Sequence, residues 1–283
     1  MRALPVQSMK RRHDVLGLNF CFVFLVAFLF TSANAQDVKV DLPRDFRNAV
    51  PDRTLVTESA IVLAIPNENE LYLNGKAVDK NALGSKIDRL MQGTSAGDKI
   101  AYLACGGSIP YRVVIEILNV VRDQDVGKIG LIVDSAATGQ FVLRIFSVDV
   151  PLRRKEDEEI SKLKPNPLTL VGAVSSDGKL TLNQESGPKR RQLCFDSVPD
   201  GLGTDPLRLQ RWLECLFEDR TRQRAYAIGM ETRGDLPLAQ RIEKTVFVKA
   251  ARSLKYVDVL RVIDAVKGSG AHPVGLQIDG LPE

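Results

Sequence analysis

Residues 99–134 align with residues 244–279 without a gap, at a constant offset of 145. Identities fall at Lys99/Lys244, Ser108/Ser253, Tyr111/Tyr256, Val114/Val259, Val121/Val266, Gly130/Gly275, Leu131/Leu276 and Asp134/Asp279. Most other positions keep their apolar or polar character. A repeat of this length is one supersecondary unit used twice, so it constrains the fold more than any single motif does. Each copy reads strand, helix, strand. Residues 100–105 and 245–250 are short runs rich in β-branched and aromatic side chains. Helices are predicted from near Pro110 and Lys255, because Tyr111, Val114, Ile115, Leu118 and Val121 recur at helical spacing. Tyr256, Val259, Leu260, Ile263 and Val266 do the same. The closing strands are 129–133 and 274–278, and a parallel, right-handed crossover is expected for each unit.

Upstream of each copy a hairpin and a further helix are predicted. The hairpins are 60–65 with 71–74, and 168–174 with 180–183, the second turning at Ser176-Asp177-Gly178-Lys179. The helices are 83–91 and 206–219, the latter capped by Asp205 with Pro206 at its first position. The expected fold class is therefore α/β (α+β): two tandem β-β-α-β-α-β units with small mixed sheets, behind an N-terminal hydrophobic helix. The boundaries are residues 1–35 for a leader, 36–54 for a tether, 55–135 for the first unit, 136–167 for a charged linker and 168–283 for the second unit. Superposition should bring Tyr111 onto Tyr256, Gly130 onto Gly275 and Asp134 onto Asp279. The tyrosines are read as core packing and the aspartates as strand-end caps.

The leader has a basic start, an apolar run from Val15 to Phe30, and Ala33-Asn34-Ala35 before Gln36. That is the layout of a secretory signal peptide. An uncleaved anchor is the other reading, since residues 15–35 just reach the roughly 20 needed to cross a bilayer core. Under either reading the basic end stays in the cytoplasm and Gln36 onward lies outside it. The net charge of +4 is mild and sits partly in the leader, so no nucleic-acid surface is expected.

Catalytic chemistry is sparse. The two histidines are His13, in the leader, and His272, in a loop with no Ser or Cys motif beside it. No C-x-x-C spacing occurs, so neither a catalytic triad nor a zinc site is expected, no cofactor is assigned, and the chain is read as a non-enzyme. Cys194 and Cys215 flank one loop and a helix start. They either pair as a disulfide, which an exported compartment permits, or serve with Cys105 as small buried hydrophobes.

The phrases 71–78 (LYLNGKAV), 109–118 (IPYRVVIEIL) and 129–133 (IGLIV) together resemble the ExbD/TolR family of biopolymer-transport proteins. The resemblance covers about residues 56–134 well and 168–279 more weakly. It implies a short cytoplasmic N-terminus, one transmembrane helix and a periplasmic β-β-α-β-α-β domain. It also implies work with an ExbB/TolQ-like multi-span membrane protein and a periplasm-spanning protein, coupled to proton flow. Location at the periplasmic side of the inner membrane follows, or in the periplasm if cleavage occurs after Ala35. The family's proton-handling Asp lies inside its membrane helix, where an ionisable group is costly and functional. Here no Asp or Glu occurs between Val15 and Ala35, and Asp14, on the charged flank, is the nearest counterpart. Because the family's domain is thought to act as a dimer, pairing is expected either within one chain, about a pseudo-twofold, or between copies. The alternative is a soluble periplasmic binding or scaffold protein without motor function.

Overall fold

The computed structural model describes residues 38–51, 60–95, 97–134, 144–152, 166, 168–184, 194 and 202–281. The leader, with Asp14 and the anticipated N-terminal helix, lies outside them. No helix among the described residues is long and apolar enough to cross a membrane.

The fold is mixed α/β, with eleven strands in one sheet. Strands β1 (Val50–Pro51), β2 (Ala60–Asn67), β3 (Glu70–Leu73), β4 (Lys76–Ala77), β5 (Ile100–Cys105) and β6 (Lys128–Val133) come first. They are followed by β7 (Arg144–Asp149), β8 (Leu170–Val174), β9 (Leu180–Gln184), β10 (Val246–Ala250) and β11 (Val274–Leu276). The helices are α1 (Lys80–Leu90), α2 (Tyr111–Arg122), α3 (Pro206–Arg222), α4 (Leu238–Arg241) and α5 (Tyr256–Gly268). The strand order is β4-β3-β2-β5-β6-β7-β11-β10-β8-β9, with β1 paired to β7 outside this path.

Local chemistry sets the element ends. Asp79 accepts from the Asn81 N–H at 2.8 Å and starts α1, and Asp205 accepts from the Leu207 N–H at 3.0 Å and starts α3. Asn74 and Gly75 both take positive φ, 49° and 76°. That is the turn that reverses β3 into β4, an edge strand beyond the predicted hairpin. Asn74 is held there on both sides: its N–H donates to the Val62 carbonyl and its Oδ1 accepts the Val62 N–H, each at 2.8 Å. Helix α3 runs one turn past the predicted end.

With β4 set aside in one run and α4 in the other, the element orders β2-β3-α1-β5-α2-β6 and β8-β9-α3-β10-α5-β11 correspond. The two runs do not form two small sheets, as the sequence suggested. They share one, because β7 sits between them, antiparallel to β6 over six residue pairs and parallel to β11. This differs from the reading of residues 144–149 as part of a charged linker. Within it, Ile145, Phe146 and Val148 are buried, an apolar stretch that the flanking charges obscured. Charge averaged over a long window hides six residues that all pair with β6, with Arg144, Ile145 and Asp149 also paired on the other side.

The tether is corrected as well. Residues 38–51 lie against the fold, with Val40, Leu42 and Ala49 buried. Val38, Val40 and Leu42 cover the sheet face made by Val62, Ala64, Tyr102, Ala104, Ile132 and Ile145, while the main core of both runs lies with the helices. With both faces covered, β2 reads as an unbroken apolar run (AIVLAI) rather than an alternating one.

Candidate functional site: the seam between the two runs

Gly107, Ile109 and the start of α2 meet Arg252, Leu254 and the start of α5. The Tyr111 N–H donates to the Leu254 carbonyl at 2.7 Å, and the Tyr256 N–H to the Ile109 carbonyl at 2.8 Å. The Arg112 N–H donates to the Arg252 carbonyl at 3.0 Å, and the Val257 N–H to the Gly107 carbonyl at 3.0 Å. Each bond in a pair becomes the other when 145 is added to or subtracted from its residue numbers. These N–H groups open their helices and have no partner within them. The seam satisfies the orphans of one helix with the loop that precedes the other.

Tyr111 and Tyr256 are fully buried beside this seam, and neither hydroxyl has a hydrogen-bond partner among the described residues. Burial pushes both phenols up from their ordinary value, and Cys105 and Tyr111 add to the effect at Tyr256. Cys105 is buried too, and desolvation pushes its thiol up. A thiol held protonated is a poor nucleophile.

Gly130 stands opposite Tyr102 in the parallel β5/β6 ladder, and Gly275 opposite Phe247 in β10/β11. A Cβ on Gly130 would lie 2.5 Å from the Tyr102 ring, and one on Gly275 would lie 2.4 Å from the Phe247 ring. Glycine is needed at both places because an aromatic ring lies across it. The ring positions, 102 and 247, also differ by 145, a signal that reading the glycines alone missed.

Asp134 and Asp279 have different partners. Asp134 pairs with Arg44 at 3.0 Å, fixing the N-terminal strap. Asp279 pairs with Arg122 at 2.5 and 3.0 Å, joining the end of α2 to the segment after β11. The Arg122 side chain is 1 % exposed. The strap also reaches α5. Asp264 accepts the Asn48 N–H at 2.7 Å, and the Asn48 amide donates to the Asp264 carbonyl at 2.9 Å.

In the second run Cys194 and Cys215 form a disulfide with their Cα atoms 5.7 Å apart, tying Cys194 to α3. Arg220, on the same helix, donates to the Glu243 carbonyl at 2.8 Å and to the Leu168 carbonyl. Desolvation lowers the Arg220 guanidinium to about 10, opposed by Glu243. The Glu243 carboxylate in turn accepts from Asn166 at 2.7 Å and from the Thr245 N–H at 2.8 Å. This buried network closes the long loop before β10. His272 is solvent-exposed. No group of three or more His, Cys, Asp or Glu among the described residues could hold a metal ion.

The fold and the seam define a mixed-sheet α/β protein in which backbone N–H groups at two helix starts are satisfied across the seam. Residues 17–136 match the family described as biopolymer transport protein ExbD/TolR. The likeness to that family is carried by that segment, which runs from the leader to just past β6. No curated protein and no solved structure matches the chain.

Proposed function

We propose that this chain is a non-enzymatic component of an envelope biopolymer-transport or proton-motive-force energy-transduction system. It acts outside the cytoplasm through protein contacts, alongside an ExbB/TolQ-like multi-span membrane protein and a periplasm-spanning protein. The match of residues 17–136 to the ExbD/TolR family supports the transport assignment. We further read the chain as two family units in tandem, with one chain supplying both halves of a pair. The observation that carries this is the reciprocal set of seam bonds, Tyr111 to Leu254 and Tyr256 to Ile109. A linked second unit meets the first at high effective concentration and needs no second chain.

Tagged full-length protein isolated from its native membranes tests the reading. Co-purification of a multi-span membrane protein at a fixed ratio, with one copy of this chain per pair of units, is the expected result. A mature N-terminus at Gln36 and no membrane partner would overturn it. A second reading, a soluble periplasmic scaffold without motor function, is favoured by one specific observation: no Asp or Glu occurs between Val15 and Ala35.

A further inference from the structure

The sheet ends at β4, which pairs only with β3 among the described strands. Beside that end, between the β3–β4 turn and the last turns of α1, lies an open groove of about 450 Å³. Its apolar floor is Leu73, Val78 and Leu90. Leu90 is 51 % exposed, a large aliphatic side chain left in water at the end of a helix. The charged residues lining the groove are Lys76, Lys86 and Arg89, and none of the lining residues is acidic. All three cations are exposed, and none forms a salt bridge with a described residue. By contrast, Lys80 on the same helix is paired with Glu116.

An apolar strip flanked by unpaired cations of one sign suits a ligand that is both apolar and anionic. The sheet edge narrows the choice. Both residues of β4 are exposed, and an edge strand offers backbone N–H and C=O groups to an extended chain. A lipid has no matching row of amides. We infer that this groove docks an extended, acidic segment of a partner protein. One apolar side chain of that segment would sit among Leu73, Val78 and Leu90, with carboxylates facing Lys76, Lys86 and Arg89. This surface lies within the family-matched segment, but it requires neither proton coupling nor the tandem reading, and it is tested without either.

The probe is a fluorescein-labelled, acetylated eight-residue peptide of alternating Glu and Val, titrated against the full chain and read by polarisation. Its Lys/Val counterpart is the control. The expected result is saturable binding of the acidic peptide alone, weakened by salt. The K76E/K86E/R89E variant should bind at least tenfold more weakly, as should Leu90→Asp, while Lys249→Glu, on β10 in the other run, should not change binding. All these positions are exposed or half-buried on the surface, and a circular-dichroism melt confirms folding in each variant. Equal binding to the triple variant, or no saturation by the acidic peptide, overturns the inference. So does adsorption of the chain to phosphatidylglycerol vesicles that depends on the same three cations while the peptide fails to bind.

Discussion

The ring of Tyr102 lies across Gly130 so closely that a Cβ there would come within 2.5 Å of it. The two residues are register partners in neighbouring parallel strands, so the ring covers backbone that a side chain would otherwise occupy. On the same face Val40 and Leu42 of the strap close over the ring. Phe247 and Gly275 repeat the arrangement in the second run.

Gly130→Ala should therefore force the Tyr102 ring out of a packed layer and destabilise the fold by about 1–3 kcal/mol, the usual cost of overpacking. Thermal melts of Gly130→Ala, Tyr102→Ala and the double variant test this. The double variant should lose less than the sum of the singles. Strict additivity would mean that ring and glycine do not interact.

Tyr111 and Tyr256 bury hydroxyls with no partner among the described residues. Replacing either by Phe removes a desolvated polar atom without changing shape, so each variant should be as stable as the parent or up to about 1 kcal/mol more stable. A loss of 2 kcal/mol or more in urea unfolding would show that the hydroxyl has a partner after all.

The same two phenols predict alkaline sensitivity. Their folded values lie above the unfolded value of about 10. Above pH ~10 the unfolded chain has lost protons that the folded chain still holds, so stability is fully present below that pH and falls as pH rises. The Tyr111→Phe/Tyr256→Phe variant should unfold at higher pH than the parent, followed by far-ultraviolet circular dichroism. Identical alkaline midpoints would rule the phenols out as the cause.

Arg122 places a buried guanidinium against Asp279 from the far end of the chain. Asp279→Ala leaves that charge short of two bonds and should cost about 1.5–3 kcal/mol, the range for hydrogen bonds to charged groups. The Asp279 carboxylate is itself well exposed, which argues against the larger penalty of a fully buried pair. Chemical denaturation measures it, and a change below 0.5 kcal/mol would mean that water replaces the carboxylate.

Reduction of the Cys194–Cys215 bridge, whose cysteines are 21 residues apart in sequence, should cost about 3 kcal/mol on the chain-entropy estimate. Trp212 lies buried on the same helix, and its fluorescence follows the change. An unaltered denaturation midpoint after complete reduction would show that the loop is held by packing alone.

Sequence periodicity by itself determined the local elements. The apolar stripes from Tyr111 and from Tyr256 mark α2 and α5, and Asp205-Pro206 marks the start of α3, because capping and amphipathic spacing act over a few residues. Only the tertiary structure decided what those elements share. Two partners of β7, β6 and β11, lie 16 and 130 residues away by first residue, and nothing within the segment names them. Val38, Val40 and Leu42 read as tether until a sheet face exists for them to cover. The aromatic partners of Gly130 and Gly275, the reciprocal seam bonds and the cation-lined groove beside β4 arise in the same way. Each is a relation between surfaces distant in sequence, and such relations come into being only when the chain has closed on itself.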